Sequence, residues 1–114
     1  MEKQKKPLQI SIGARQEAQP NEILLFEADI NYTLVHFANG RKLMVATTLK
    51  QIEGRFKQNN FLRTHKGFLV NMSYVDHICN YENKLYLKNN QEVIVSRRRM
   101  TEVRNELLRQ PVLP

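Results

Sequence analysis

The chain has 114 residues, 41% of them hydrophobic and 25% charged, and carries a formal net charge of +7. That is material for one globular domain with its own core, and no apolar run approaches the length needed to span a membrane. The single cysteine, Cys79, excludes an internal disulfide and does not make a metal cluster by itself; the positive balance favours an acidic partner, of which nucleic acid is the commonest.

Residues 1–6 hold three lysines and no core former, and read as a mobile tail closed by Pro7. No apolar stretch follows this basic start, so it is not a secretory signal, and a reducing cytoplasm is the expected setting. Leu8 to Gly13 alternates apolar and polar, the period of a half-buried strand. Ala14 to Asn21 is polar, contains Pro20 and reads as a connection. Glu22 to Ala28 is a second strand centred on Ile23-Leu24-Leu25-Phe26, broken by the turn formers of Asp29-Ile30-Asn31. Tyr32 to Phe37 alternates again. Asn39-Gly40 predicts a tight two-residue hairpin turn with both residues at positive φ, and Arg41 to Ala46 returns as its partner strand.

Thr48 and Gln51 stand at capping-box spacing, and Leu49, Ile52 and Phe56 make one apolar face of a short helix. Gln58-Asn59-Asn60 ends it. Extended runs follow at Phe61–Thr64, Phe68–Val70 and Tyr74–Ile78, with a turn or bulge expected at Gly67 that pushes Lys66 outward. Asn80 to Lys84 is turn-like. Leu85–Leu87 and Val93–Val95 read as strands joined through Asn89-Asn90. Ser96 is a candidate N-cap for a last helix with Met100, Val103 and Leu107 on its apolar face; Pro111 and Pro114 mark its end. The fold class that results is mainly β, with about eight strands in antiparallel sheets, a short middle helix and a C-terminal helix. The expected core is Leu24, Phe26, Leu34, Leu49, Ile52, Phe56, Phe68, Val70, Leu85, Val93 and Val103.

Three clusters could carry chemistry. Ser96-Arg97-Arg98-Arg99 puts three cations at a strand-to-helix corner, where they oppose the helix macrodipole at about 0.3–1 kcal/mol each. An arginine fork there matches a guanine edge or a phosphate. In Arg63-Thr64-His65-Lys66, the lysine is the candidate for a base or phosphate, and His65 reads as a structural imidazole near the turn. In Asp29-Ile30-Asn31-Tyr32, the Asn31 amide suits a base edge and Tyr32 a sugar or phosphate, although the residues alone read more simply as a turn followed by a packing tyrosine. Arg41, Lys42, Arg63, Arg97 and Arg99, with Tyr32, are the candidates for phosphate contact. His36, His65 and His77 are scattered, Asp29 and Asp76 lack evident partners, and no spacing matches a zinc site or a phosphate-binding glycine loop. Neither catalytic residues, nor a metal, nor a cofactor is expected.

The ordered set Glu27-Ala28, Asn39-Gly40, Thr48-Leu49, Phe61-Leu-Arg-Thr-His-Lys-Gly-Phe-Leu-Val-Asn71, Val75-Asp-His-Ile78 and Val95-Ser-Arg-Arg98 resembles the LytTR family of bacterial DNA-binding domains. The resemblance runs from about Ile23 to Leu108, so the chain divides into a leading segment 1–22, a LytTR-like domain 23–110 and a loose end 111–114. It implies an elongated, mostly antiparallel β fold that binds double-stranded DNA through loops and acts as a transcription regulator at promoter direct repeats. Carried over position by position, it implies base contacts from Asn31, Lys66 and Arg98. Gly67 stands where the family pattern carries a serine. Many relatives have a receiver domain ahead of this module; the 22 residues here are too few for one, so a stand-alone regulator or an excised domain is expected. With no long apolar heptad seam, the chain should be a monomer or weak dimer in solution and pair cooperatively on DNA. The reading from another class is a protein-interaction or non-specific polyanion-binding module.

Overall fold

The structure is a computed structural model and describes residues 8–110. The expected basic tail, and Pro111 and Pro114, lie outside the described residues. Ten strands are found among the described residues: β1 (Ile10–Gly13), β2 (Gln16–Ala18), β3 (Ile23–Asp29), β4 (Tyr32–Phe37), β5 (Lys42–Val45), β6 (Phe61–His65), β7 (Phe68–Asn71), β8 (Val75–Cys79), β9 (Lys84–Leu87) and β10 (Glu92–Ile94). Helix α1 spans Leu49–Phe56 and α2 spans Met100–Arg109. All strand pairs are antiparallel: a central sheet in the order β5-β4-β3-β7-β6, a three-stranded sheet β10-β9-β8 and the hairpin β1-β2. The described residues extend 48 × 40 × 24 Å.

The central sheet is covered on both faces. This is the physical reason for the unbroken apolar run Ile23-Leu24-Leu25-Phe26: all four side chains are buried, Ile23 and Phe26 in one core and Leu24 and Leu25 in the other, with a register shift between Ile23 and Leu25. One face packs Phe26, Val35, Phe37 and Leu69 against Leu49, Ile52 and Phe56 of α1 and Ile12 and Ala18 of the β1-β2 hairpin. Phe26, Phe56 and Phe61 form its centre, with ring centroids 5.0–5.6 Å apart. The other face packs Leu25 and Val70 against Leu85, Leu87 and Val93 of the small sheet and Met100 and Val103 of α2. The capping box opens α1 as the sequence predicts: the Gln51 backbone N–H donates to Thr48 Oγ1 at 3.3 Å, and the Thr48 N–H donates to Gln51 Oε1 at 3.1 Å.

Several expectations need correction. Gln16–Ala18 is a strand, not part of a connection. Its polar sequence hides it, because only Ala18 of the three is buried. The alternation of β4 runs in the other phase from the one that puts Leu34 inside. Thr33, Val35 and Phe37 are buried and Leu34 is half-buried. Thr33 tolerates burial because its hydroxyl donates to the Thr47 carbonyl at 2.6 Å. Phe68 is also only half-buried, at the rim of the second core. Between β4 and β5, Gly40 alone has positive φ (92°), and the Phe37 N–H donates to the Arg41 carbonyl, so the turn spans 38–40 rather than Asn39-Gly40 alone. The turn expected at Gly67 does form, over Lys66-Gly67 with Lys66 exposed, but without positive φ at Gly67, and a bulge accompanies it between Arg63 and His65 of β6. Ser96 takes the N-cap position of a 3₁₀ turn over Arg97–Arg99 but makes no capping bond with its side chain. Asp76 has a partner in its neighbour, His77 Nδ1, at 2.7 Å.

Candidate nucleic-acid interface

Three connections meet at one end of the central sheet. β3 runs toward Asp29, and the turn Ile30-Asn31 leads back into β4, with Asp29 paired to Tyr32. β7 is antiparallel to β3, with Phe68 opposite Glu27, so the Lys66-Gly67 turn lies at the same end. The Ala28 N–H donates to the Gly67 carbonyl at 2.8 Å and ties the two turns together. The centres of two such neighbouring hairpins lie two strand spacings apart, about 10 Å. The corner between β10 and α2 joins them through Thr64. The Ser96 N–H donates to the Thr64 carbonyl at 2.8 Å, and Thr64 Oγ1, fully buried, donates to the Ile94 carbonyl at 3.1 Å.

Asn31, Lys66, Arg97 and Arg98 therefore share one end of the molecule, and all four are exposed. Tyr32, 52% exposed, stands beside Asn31. Among the described residues, none of the four cations and amides just named is in a salt bridge. Glu102, in the first turn of α2, offsets part of the cost of the arginines at that helix end.

Arg63 and Arg99 are placed differently. The Arg63 guanidinium reaches Glu53 Oε1 of α1 at 2.7 Å, the His65 carbonyl at 3.0 Å and the Lys66 carbonyl at 2.6 Å. It is a brace that fixes the shape of the Lys66 turn from behind. His65 completes the turn, its Nδ1 accepting the Gly67 N–H at 3.1 Å, which is the structural part the sequence suggests. Arg99 is half-buried and directs Nη1 to the Arg63 carbonyl at 3.4 Å. Arg41 and Lys42 lie at the far end of β4, about 17 Å from Tyr32 by strand rise. Arg41 rests its guanidinium 4.2 Å from the centre of the Phe37 ring.

Two features of this end escape sequence reasoning. Ile30, at the tip beside Asn31, is 92% exposed with φ of +56°. An apolar residue between two turn formers is the only local signal for it. The β1-β2 turn, Ala14-Arg15, also has positive φ at both residues and is tucked toward β5, because Gly13 packs directly on Thr47 and Val45. Elsewhere, His77 stacks on Tyr86 at 4.8 Å, and the Tyr86 hydroxyl donates to Glu82 Oε1 at 2.9 Å. That bond, with the nearby Glu92, pushes the phenol well above its ordinary range, and it is the main cause of a lowered Glu82 carboxyl. Among the described residues no group of His, Cys, Asp or Glu could hold a metal ion, and no helix is long and apolar enough to cross a membrane.

The chain is thus a small basic β domain that gathers three exposed cations and an amide on three connections at one end. The chain matches the LytTr DNA-binding domain family over residues 17–108, and it belongs to that family. The family is a DNA-binding domain of transcription regulators, not an enzyme family. Among solved structures, the LytTr DNA-binding domain of a methyl-accepting/DNA response regulator from Bacillus cereus superposes with a TM-score of 0.71 at 19% identity, covering 91% of this chain and 98% of that one. A comparison with curated proteins finds no match.

Proposed function

We propose that this domain binds double-stranded DNA sequence-specifically as a bacterial, cytoplasmic transcription regulator, reading bases with loops at promoter direct repeats. The observation that carries the reading is the convergence of Asn31, Lys66 and Arg98 on one end of the central sheet, each on a separate connection held by main-chain hydrogen bonds. In this reading Arg98 offers its fork to guanine, Asn31 its amide to a base edge, and Lys66 a point charge to a base or phosphate. Tyr32 and Arg97 hold the backbone. Two copies sit about 10–10.5 bp apart or a multiple of it, so that both face one side of the duplex.

The test begins with a duplex enriched by the protein from a random-sequence library. The protein and its Arg98→Ala variant are titrated against that duplex and a scrambled one at two salt concentrations. The wild type should keep its preference as salt rises, because screening removes the sequence-independent part of binding first. Arg98→Ala should lower the ratio of specific to scrambled affinity by about tenfold, the worth of one bidentate base contact. Equal weakening on both duplexes would reduce Arg98 to a backbone contact. A wild-type ratio near one would leave a non-specific polyanion binder. Inserting half a helical turn between repeats should abolish cooperativity, and equal affinity at every spacing would contradict the paired arrangement.

A further inference from the structure

The β3-β4 turn carries an anomaly at Ile30. Asp29 pairs with Tyr32, so Ile30 and Asn31 are the two residues of a tight hairpin turn. Ile30 has φ of +56°, and Asn31 is not among the residues with positive φ. In a two-residue turn with positive φ at its first position, glycine is the favoured occupant, because it has no Cβ to meet the backbone. A β-branched residue is the least suited to that conformation. The side chain gains nothing in return from the fold: it is 92% exposed and belongs to neither core. Scattered exposed apolar residues are ordinary, but one held in a strained backbone at the tip beside a candidate base-reading amide is an outlier of the kind that marks a functional contact.

The chemistry of the surroundings narrows the contact. A sec-butyl side chain has no attraction for phosphate. A two-stranded ribbon fits the major groove, and the apolar group displayed there is the 5-methyl of thymine. The tip of the β3-β4 hairpin, Asp29 to Tyr32, is a two-stranded end beyond the last pairings of β3 with β7 and of β4 with β5, with Asn31 beside Ile30 to take a neighbouring base edge and Tyr32 behind them. We propose that Ile30 is a specificity residue that packs on a thymine methyl group in the major groove, next to the base approached by Asn31. This rests on the DNA-reading function proposed above.

The experiment couples the side chain to the methyl group. Wild type and Ile30→Gly are titrated against the selected duplex, against versions in which each thymine is singly replaced by deoxyuridine, and against the scrambled duplex. Deoxyuridine removes only the methyl. At one thymine position the wild type should lose about fourfold in affinity, the worth of burying one methyl-sized group. Ile30→Gly should bind the thymine and deoxyuridine versions of that position equally, at the wild type's deoxyuridine level. Its melting temperature should match or exceed that of the wild type, since glycine relieves the strained φ, so lost binding cannot be ascribed to unfolding. If no thymine shows this coupling while the wild type still prefers the selected duplex, Ile30 does not read a methyl and the function stands without it. An Ile30→Gly variant that loses the same factor on every duplex overturns the proposal as well. A wild type without preference overturns it together with the function on which it rests.

Discussion

Arg63 separates a brace from a phosphate contact, and the two roles differ in what salt does. Its guanidinium makes three polar contacts within the protein, to Glu53, the His65 carbonyl and the Lys66 carbonyl, and its side chain is 16% exposed. Replacing it with methionine keeps most of the hydrophobic stem and removes all three. The pair with Glu53 is discounted because that carboxylate is 41% exposed, which leaves it worth under about 1 kcal/mol. The two carbonyl contacts come from a charged donor in a half-buried site, and together with the pair they suggest a loss of about 2 kcal/mol. For a domain of this size that lowers the melting temperature by roughly 10 °C, at about 4–8 °C per kcal/mol. The decisive assay is the slope of log affinity against log salt on a scrambled duplex. Each neutralised phosphate contributes about 0.9 to that slope. As a brace, Arg63→Met should leave the slope unchanged, because a loosened Lys66 still neutralises its phosphate, while affinity for the selected duplex falls. Lys66→Ala provides the comparison, with a slope lower by about 0.9 if Lys66 meets a phosphate. A drop of that size in Arg63→Met with unaltered melting would refute the brace.

Gly13→Ala should destabilise the domain by about 2–4 kcal/mol, since the added carbon falls 2.1 Å from Thr47 Oγ1 at a backbone φ of +109°. Urea unfolding reads the loss, and a variant as stable as the wild type would show that the β1-β2 hairpin does not seat on β5. Tyr86→Phe removes the hydrogen bond that chiefly lowers Glu82, so the Glu82 carboxyl should titrate closer to its ordinary value of 4.5. A depressed carboxyl contributes stability above that ordinary value and loses it as pH falls through the folded one, so the variant should show less of this acid-side loss. An NMR titration of the Glu82 carboxyl carbon checks it, and an unmoved midpoint would sink the account.

The local chemistry of the sequence determined much of this molecule. The capping box at Thr48 and Gln51, the apolar face of α1 and the strand runs around Ile23, Phe61 and Val93 all form where they read, because the residue spacing that marks each lies within one short segment. The ordered motifs from Glu27 to Arg98 were enough to name the family that the match over residues 17–108 bears out. What the sequence left open depends on partners far along the chain. Whether Thr33 or Leu34 faces inward turned on the Thr47 carbonyl, 14 residues away, which accepts the Thr33 hydroxyl. Arg63 and Arg98 look alike as exposed cations in the sequence. Only the seating of α1 beside β6 brings Glu53 to Arg63 and makes it internal, while Arg98 remains free at its corner among the described residues. The gathering of Asn31, Lys66 and Arg98 likewise rests on β3 pairing with β7 and on Thr64 receiving Ser96, contacts that span 32 to 45 residues and leave no periodicity to read. Strand direction then does the rest: antiparallel pairing sends alternate connections to one end, and that end is where the three side chains stand.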